Sequence, residues 1–184
     1  MRKRILALAM ALAVVCAFGL AGCGGGGGNG GNSAGTPFDT GKFTVTVADG
    51  WSAYPVVDVF SADKAKDPDA VRIGLGATSE ADVLKVPYMD IHHYGPDSIM
   101  WVSSDFYDDV VDFEPMAIGD RTWKGFTAKS MGYGLTMLYT GEDDGDQFSV
   151  TLSQGSGAGI ELPDVNDPAV QSMIASITID EPAK

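Results

Sequence analysis

Cysteine is nearly missing from this chain: 184 residues contain two, Cys16 and Cys23, and none follows. A disulfide framework, a thiolate metal site and a cysteine nucleophile are therefore excluded from everything after position 23. Histidine is equally scarce, with only His92 and His93. Basic residues are few, 12 Lys and Arg against 25 Asp and Glu, for a formal charge of −13. Nucleic-acid binding releases counterions through Lys and Arg at the interface, and no basic cluster is present to do so. The same imbalance repels the protein from an anionic leaflet over a Debye length of about 8 Å in physiological salt. A membrane span needs roughly 20 apolar residues, and the apolar segment from Ile5 to Leu20 has 16.

That short apolar segment follows Met1-Arg2-Lys3-Arg4 and ends in small residues. Charge, then apolar run, then small residues is the order of a secretory signal peptide rather than a transmembrane helix. The segment closes on Leu20-Ala21-Gly22-Cys23, which resembles the lipobox of bacterial lipoproteins at all four positions. The competing reading is an ordinary signal peptide with a chance cysteine. The resemblance implies that residues 1–22 are removed and that Cys23 carries a diacylglycerol as the first mature residue. Small side chains let the chain lie extended in a peptidase cleft, and a thiol is nucleophilic enough near neutral pH to take the lipid. Two acyl chains hold stably where one binds only marginally. The expected place is thus the bacterial cell membrane, facing outside the cytoplasm. Loss of Arg2, Lys3 and Arg4 takes the formal charge from −13 to −16.

Residues 23–37 then read as the lipidated cysteine and a tether, Gly24 to Gly28 followed by Asn29-Gly30-Gly31-Asn32-Ser33-Ala34-Gly35-Thr36. Glycine has too much backbone freedom to order here and no side chain to pack. A phosphate-binding glycine loop would need a preceding strand, a following helix and a lysine, and none is present. Residues from Gly24 to Thr36 span on the order of 20 Å as a flexible coil.

A single folded domain is expected over 38–184. Lys42 to Val47 alternates, with Phe43, Val45 and Val47 on one face, and predicts a strand. Val56 to Phe60 reads as a second strand, and Ser61 to Ala70 as a charged loop broken at Pro68. Val71, Ile73 and Leu75 alternate into a third strand. Ser79 is positioned to cap a short helical turn that Pro87 stops. Tyr88 to Tyr94 alternates again, with Met89, Ile91 and His93 on one face and Tyr88, Asp90, His92 and Tyr94 on the other. Ile99, Val102 and Phe106 recur at helical spacing, predicting a helix over Ser98 to Asp108. A meander follows: Val111 to Ile118, a Gly119-Asp120 turn, Arg121 to Met131, and a hairpin of Leu135 to Thr140 with Phe148 to Gln154. Asp167 and Pro168 open a closing helix with Val170, Met173, Ile174 and Ile177 as its apolar stripe. Ile177 to Ile179 leaves it as a short strand.

These elements predict an α+β class, a central antiparallel sheet of about six strands flanked by a few helices. The strand Phe43-x-Val45-x-Val47 running into Asp49-Gly50-Trp51, the hairpin Ile118-Gly119-Asp120-Arg121-Thr122-Trp123-Lys124-Gly125-Phe126 and the closing Ile174-Ala175-Ser176-Ile177 resemble PsbP-like domains. That resemblance implies an antiparallel sheet with flanking helices and a binding or accessory role, and it transfers no site.

No constellation of residues names a reaction. His92 and His93 are adjacent, so on a strand they point to opposite faces and cannot reach one metal. Asp90 with His92 lacks a third ligand. Setting Gly145 as the sixth residue of a calcium loop puts Thr140 first and Thr151 twelfth, where Asp and Glu are required. Asp105, Asp108, Asp109, Asp112 and Glu114 form an acidic run that reads as a solvated face before it reads as acid and base. Gly155-Ser156-Gly157 lacks the glycine two places before the serine that a nucleophile elbow needs. No helix follows Gly155-x-Gly157-x-Gly159 to cradle a phosphate. Trp51, Trp101 and Trp123 read as core before they read as a groove lining. The expectation is a non-catalytic binding or accessory domain with no cofactor and no nucleic-acid partner, presented to an envelope protein, wall polymer or small ligand. The alternative is a cell-surface hydrolase or cation-binding protein using Asp90, His92 and the acidic run.

Overall fold

A computed structural model describes residues 35–58, 61–141 and 145–180, and among these described residues there are ten strands and one α-helix. Cys23, the signal segment and most of the tether lie outside the described residues, as do Val59, Phe60 and the hairpin residues Glu142, Asp143 and Asp144.

The strands are β1 (Thr36–Asp39), β2 (Phe43–Val47), β3 (Trp51–Val57), β4 (Lys66–Leu75), β5 (Tyr88–Tyr94), β6 (Asp108–Ile118), β7 (Arg121–Ser130), β8 (Tyr133–Thr140), β9 (Gln147–Ser153) and β10 (Thr178–Ile179), with α1 at Pro168–Ala175. They form two antiparallel sheets. The larger has seven strands in the order β3-β4-β5-β9-β8-β7-β6, and the smaller has the order β1-β2-β10. The architecture is thus mostly sheet with one helix, against an expectation of about six strands and several helices.

The core lies between the inner face of the large sheet and a cover made of β2 and α1. Phe43, Val45 and Val47 project from the small sheet toward Val71 and Ile73, Met89 and Ile91, and Val150 and Leu152, all buried in one cluster. Val170, Met173 and Ile174 of α1 enter the same cluster, so the apolar stripe of the helix is what holds it on the sheet. Burial of each such side chain contributes about 1.5–3 kcal/mol. The helix begins as its residues require: Asp167 accepts hydrogen bonds from the amides of Ala169 at 2.8 Å and Val170 at 3.4 Å, and Pro168 occupies the first turn. At its other end the Ser176 hydroxyl accepts from the Thr46 amide at 2.8 Å, tying α1 to β2.

Four local expectations are corrected. The stretch Ser98 to Asp108 is not a helix: it holds a single 3₁₀ turn at Ser104–Phe106, and β6 begins at Asp108. A short helix persists only when its apolar face packs, and here Ile99 is 90% and Phe106 70% exposed. The Ser103 side chain instead takes the Asp105 amide and caps the turn. Ser79 caps no helix; its hydroxyl donates to Asp82, the residue that precedes the 3₁₀ turn Val83–Lys85. The segment read as a charged loop enters β4 at Lys66, and Pro68 is accommodated where β3 shifts register between Pro55 and Val57 and demands no amide from it. The second strand runs over Trp51–Val57, earlier than Val56 to Phe60. The domain edge also moves, because β1 takes Thr36 and Pro37 from the end of the tether into the small sheet beside β2.

Candidate binding site on the open sheet face

Strand pleating divides the large sheet into two faces, and only one is covered. On β5, Met89, Ile91 and His93 point into the core, while Tyr88, Asp90, His92 and Tyr94 point outward and stay partly exposed. The register carries this outer face across the sheet: Tyr88 is opposite Ser153, Asp90 opposite Thr151 and His92 opposite Ser149 on β9. The next pairs are Ser153 with Leu135 and Thr151 with Met137 on β8. Beyond them Phe126 and Ala128 of β7, with Leu135, form a small second cluster against which Val102 and Tyr107 pack.

The segment that fails to be a helix therefore forms a wall on this face. Tyr107 rests on Phe126 with ring centroids 5.7 Å apart, and Trp101 meets Phe106 edge-on at 5.7 Å. On one side of Tyr107 lies a cleft of about 400 Å³, floored by Thr151 and Ser153 and bounded by Leu84, Tyr88 and Tyr133. On the other lies a smaller one of about 190 Å³, bounded by Tyr94, Trp101, Phe106 and Ser149. Tyr107 lines both, so together they make one trough over β5, β9 and β8. The larger cleft falls within the range of about 300–1,000 Å³ usual for ligand sites. Exposed apolar side chains stand on both clefts: Met131 on the larger is 92% accessible and Trp101 on the smaller is 76%. Among the described residues no charged side chain lines either cleft.

The glycine motif after β9 builds the far end of the trough. The Ser156 amide donates to the Leu84 carbonyl at 2.9 Å, bringing the loop against the 3₁₀ turn. A Cβ on Gly155 would stand 2.2 Å from the Val86 carbonyl oxygen, and one on Gly157 would stand 2.5 Å from that of Lys85. Only glycine permits that approach, and Gly155 also has φ near 77°. These glycines thus pack backbone on backbone.

No family model matches the chain, and no curated protein matches it either. Among solved structures the chain is similar to a Bacteroides thetaiotaomicron protein with a TM-score of 0.44 and 10% identity, over 81% of this chain and 50% of that one. The chain thus spans about half the length of that protein. A likeness of this degree transfers no function.

The residues singled out from sequence fall into three places. Asp90 and His92 share the outer face, but both carboxylate oxygens of Asp90 are engaged by Arg72, at 2.7 Å each. Donating to Asp90 raises the Arg72 guanidinium above its ordinary value, against the opposing effect of burial, and Tyr88 lies 5.2 Å beneath it. Among the described residues no His, Cys, Asp and Glu side chains gather to hold a metal. Of the acidic run, Asp105 lies in the 3₁₀ turn and Asp108, Asp109, Asp112 and Glu114 lie along the edge strand β6, where Lys129 pairs with Asp109 at 2.8 Å and holds its carboxyl below the usual value. Trp123 is fully buried and Trp51 packs on the core, whereas Trp101 stands in the open on the trough wall.

Three side chains brought together by the fold were not paired by sequence reasoning. His93 is buried, and its Nδ1 and Nε2 lie 2.7 Å from Asp69 and 2.8 Å from Asp146. Both ring nitrogens face carboxylate oxygens. The two carboxylates sit on opposite sides of the ring and cannot converge on one ion. The unit clasps β4 and the β8–β9 hairpin to β5, with the His93 ring packed 5.1 Å from Phe148. Only the wide sequence separation of Asp69 from Asp146 hid it.

Proposed function

We propose that the chain is a bacterial lipoprotein, anchored through Cys23 outside the cytoplasm, whose sheet domain is a non-catalytic module that binds a ligand in the trough on its open face. The observation that carries this reading is the exposed wall of Trp101 and Phe106 on the cleft of about 190 Å³, which shares Tyr107 with the cleft of about 400 Å³. Large aromatics left in water at the margin of a cleft mark contact sites, because they supply apolar area at little entropic cost. The likeness of the β2, β6–β7 and α1 segments to PsbP-like domains belongs to the same reading, since it too implies a binding or accessory role. A tether of on the order of 20 Å lets an acidic domain stand clear of an anionic leaflet while it searches for its ligand.

The site is tested by placing a photo-crosslinking amino acid at Trp101, at Met131 and, on other surfaces, at Lys64 and Gln171, in cells that make the full chain. Adducts are expected at the first two positions. Equal yields at all four would refute the trough as the binding surface. The anchor is tested separately by Cys23→Ser, which is expected to leave an uncleaved precursor without lipid. A diacylated mature mass in that variant would refute the assignment.

A further inference from the structure

We infer that the occupant of the trough is a neutral glycan segment. This rests on the trough being a binding surface and goes on to name its ligand class.

Three observations converge. The first is the absence of charge. The protein carries a formal −13, yet among the described residues no ionised side chain lines either cleft. The nearest pair on the same face, Arg72 and Asp90, is already closed on itself through two bonds of 2.7 Å. An anionic polymer would find no cation there and would meet the repulsion of the whole domain. A cationic ligand would find no carboxylate in the lining to pair with.

The second is the state of the hydroxyls. Tyr88, Tyr107 and Tyr133 line the larger cleft, and among the described residues their hydroxyls make no hydrogen bond. Thr151 donates only to the Met137 sulfur, at 3.4 Å. Ser149 meets only Tyr94, at 3.5 Å. A hydroxyl both donates and accepts, so these groups match a partner whose own polar groups do both. Sugar hydroxyls do. An extended proline-rich peptide, the other ligand that aromatic grooves take, offers mainly carbonyl acceptors because proline has no N–H, and would leave most of the acceptor capacity of the hydroxyls unused.

The third is the arrangement of apolar faces. Trp101, Phe106 and Tyr107 stand along one wall, and Ser149, Thr151 and Ser153 recur on β9 at every second residue, about 7 Å apart along the strand, with Ser149 buried, Thr151 and Ser153 part-exposed, and Ser153 also accepting from the Gly155 amide at 3.3 Å. A sugar ring has an apolar face of C–H groups and a polar edge of hydroxyls, and this trough offers one wall for the face and a floor for the edge.

The test titrates the full-length protein in detergent with neutral oligomers of glucose, galactose and N-acetylglucosamine, with polygalacturonate as an anionic comparison and a proline-rich decapeptide as a peptide comparison. Tryptophan fluorescence and calorimetry read the binding. At least one neutral oligomer is expected to bind. Trp101→Ala is expected to weaken it roughly tenfold, equivalent to about 1.4 kcal/mol, with thermal stability unchanged. Tyr107→Phe, which keeps the ring and removes the hydroxyl, is expected to weaken it about threefold, as loss of one hydrogen bond does. If the peptide binds and no neutral oligomer does, or if polygalacturonate binds as tightly, the glycan assignment is overturned while the trough stands as a binding surface. If no oligomer in the panel binds, the glycan assignment fails; equal crosslinking yields from Trp101 and Lys64 would take the trough down with it.

Discussion

Replacing His93 measures how much of this fold depends on a buried polar clasp. The side chain is 6% exposed and its two ring nitrogens meet Asp69 and Asp146, which are 42% and 36% exposed. A hydrogen bond to a charged group contributes about 1.5–3 kcal/mol. The part-exposed carboxylates recover hydration once the ring is gone, which discounts the pair to roughly 2–3 kcal/mol in total. The ring also packs 5.1 Å from Phe148 and 6.3 Å from Phe43, and its truncation adds a cavity cost of about 1–2 kcal/mol. His93→Ala is therefore expected to lose about 4 kcal/mol, a large share of the roughly 5–15 kcal/mol that holds a domain together. His93→Phe keeps ring volume and loses only the polar part, about 2–3 kcal/mol. Urea denaturation reads both as a lowered midpoint with unchanged slope. Asp69→Asn, made alone and with His93→Phe, should show a coupling of about 1 kcal/mol or more, since the two residues share one interaction. A His93→Phe protein within about 0.5 kcal/mol of the native one, with no coupling to Asp69, would refute the clasp as a source of stability and leave His93 as packing alone.

Gly155→Ala forces a Cβ to 2.2 Å from the Val86 carbonyl oxygen at a φ of 77°, and a loss of about 3 kcal/mol is expected from strain and displaced backbone; an unchanged denaturation midpoint would contradict it. Asp167→Ala removes the acceptor for two amides at the start of α1 and should cost about 1 kcal/mol, with Asp167→Asn nearly neutral in the same thermal melt. Acid titration reports on three carboxyls held below their ordinary value of 3.8: Asp63 by Ser61, Asp82 by Lys85 and then Ser79, and Asp109 by Lys129. A depressed folded-state value means that their stabilising contribution is present above the unfolded value, near 3.9, and is lost as pH falls through the folded one. Lys129→Met is thus expected to raise the Asp109 midpoint toward 3.8 in a carboxyl-carbon NMR titration, and an unmoved midpoint would show that Lys129 does not set it.

Much of the fold is legible in the chain because a few elements announce their period and their ends together. Phe43 to Val47 alternates with every second residue buried, and Asp167-Pro168 starts a helix whose Val170, Met173 and Ile174 all reach the core. Tyr88 to Tyr94 splits into the two faces its alternation predicts. The failures share a physical cause. β1 contains Pro37 and pairs on one side only, so nothing in its short polar run distinguishes it from tether. Lys66 to Ala70 is charged because the start of β4 runs beside an irregular stretch of β3, and its pairing is supplied by distant residues. The triplet Ile99, Val102 and Phe106 has helical spacing, but spacing becomes a helix only when something stands opposite to bury it.

That last failure is also why the site was hidden. Alternation on β5 separates Tyr88, His92 and Tyr94 from Met89 and Ile91, but it cannot say which of the two sets will be covered, since either face of an antiparallel sheet can be. A packed helix over Ser98 to Asp108 would have closed the outer face and made Trp101 a core residue. The chain instead crosses that face as a turn, with Ser103 taking the Asp105 amide and Val102 and Tyr107 packed on the small cluster around Phe126, so Trp101 and Phe106 are left in water beside the part-exposed Thr151 and Ser153. The open trough is thus a consequence of one segment declining to pack. Converting the segment should close it: substitutions that favour helix at Gly95, Pro96 and Ser103 while retaining Ile99, Val102 and Phe106 are expected to lower Trp101 fluorescence quenching by acrylamide and to abolish ligand binding in parallel. Loss of binding with Trp101 as accessible as before would mean that the segment contributes through its own contacts, and that its failure to cover the sheet is incidental.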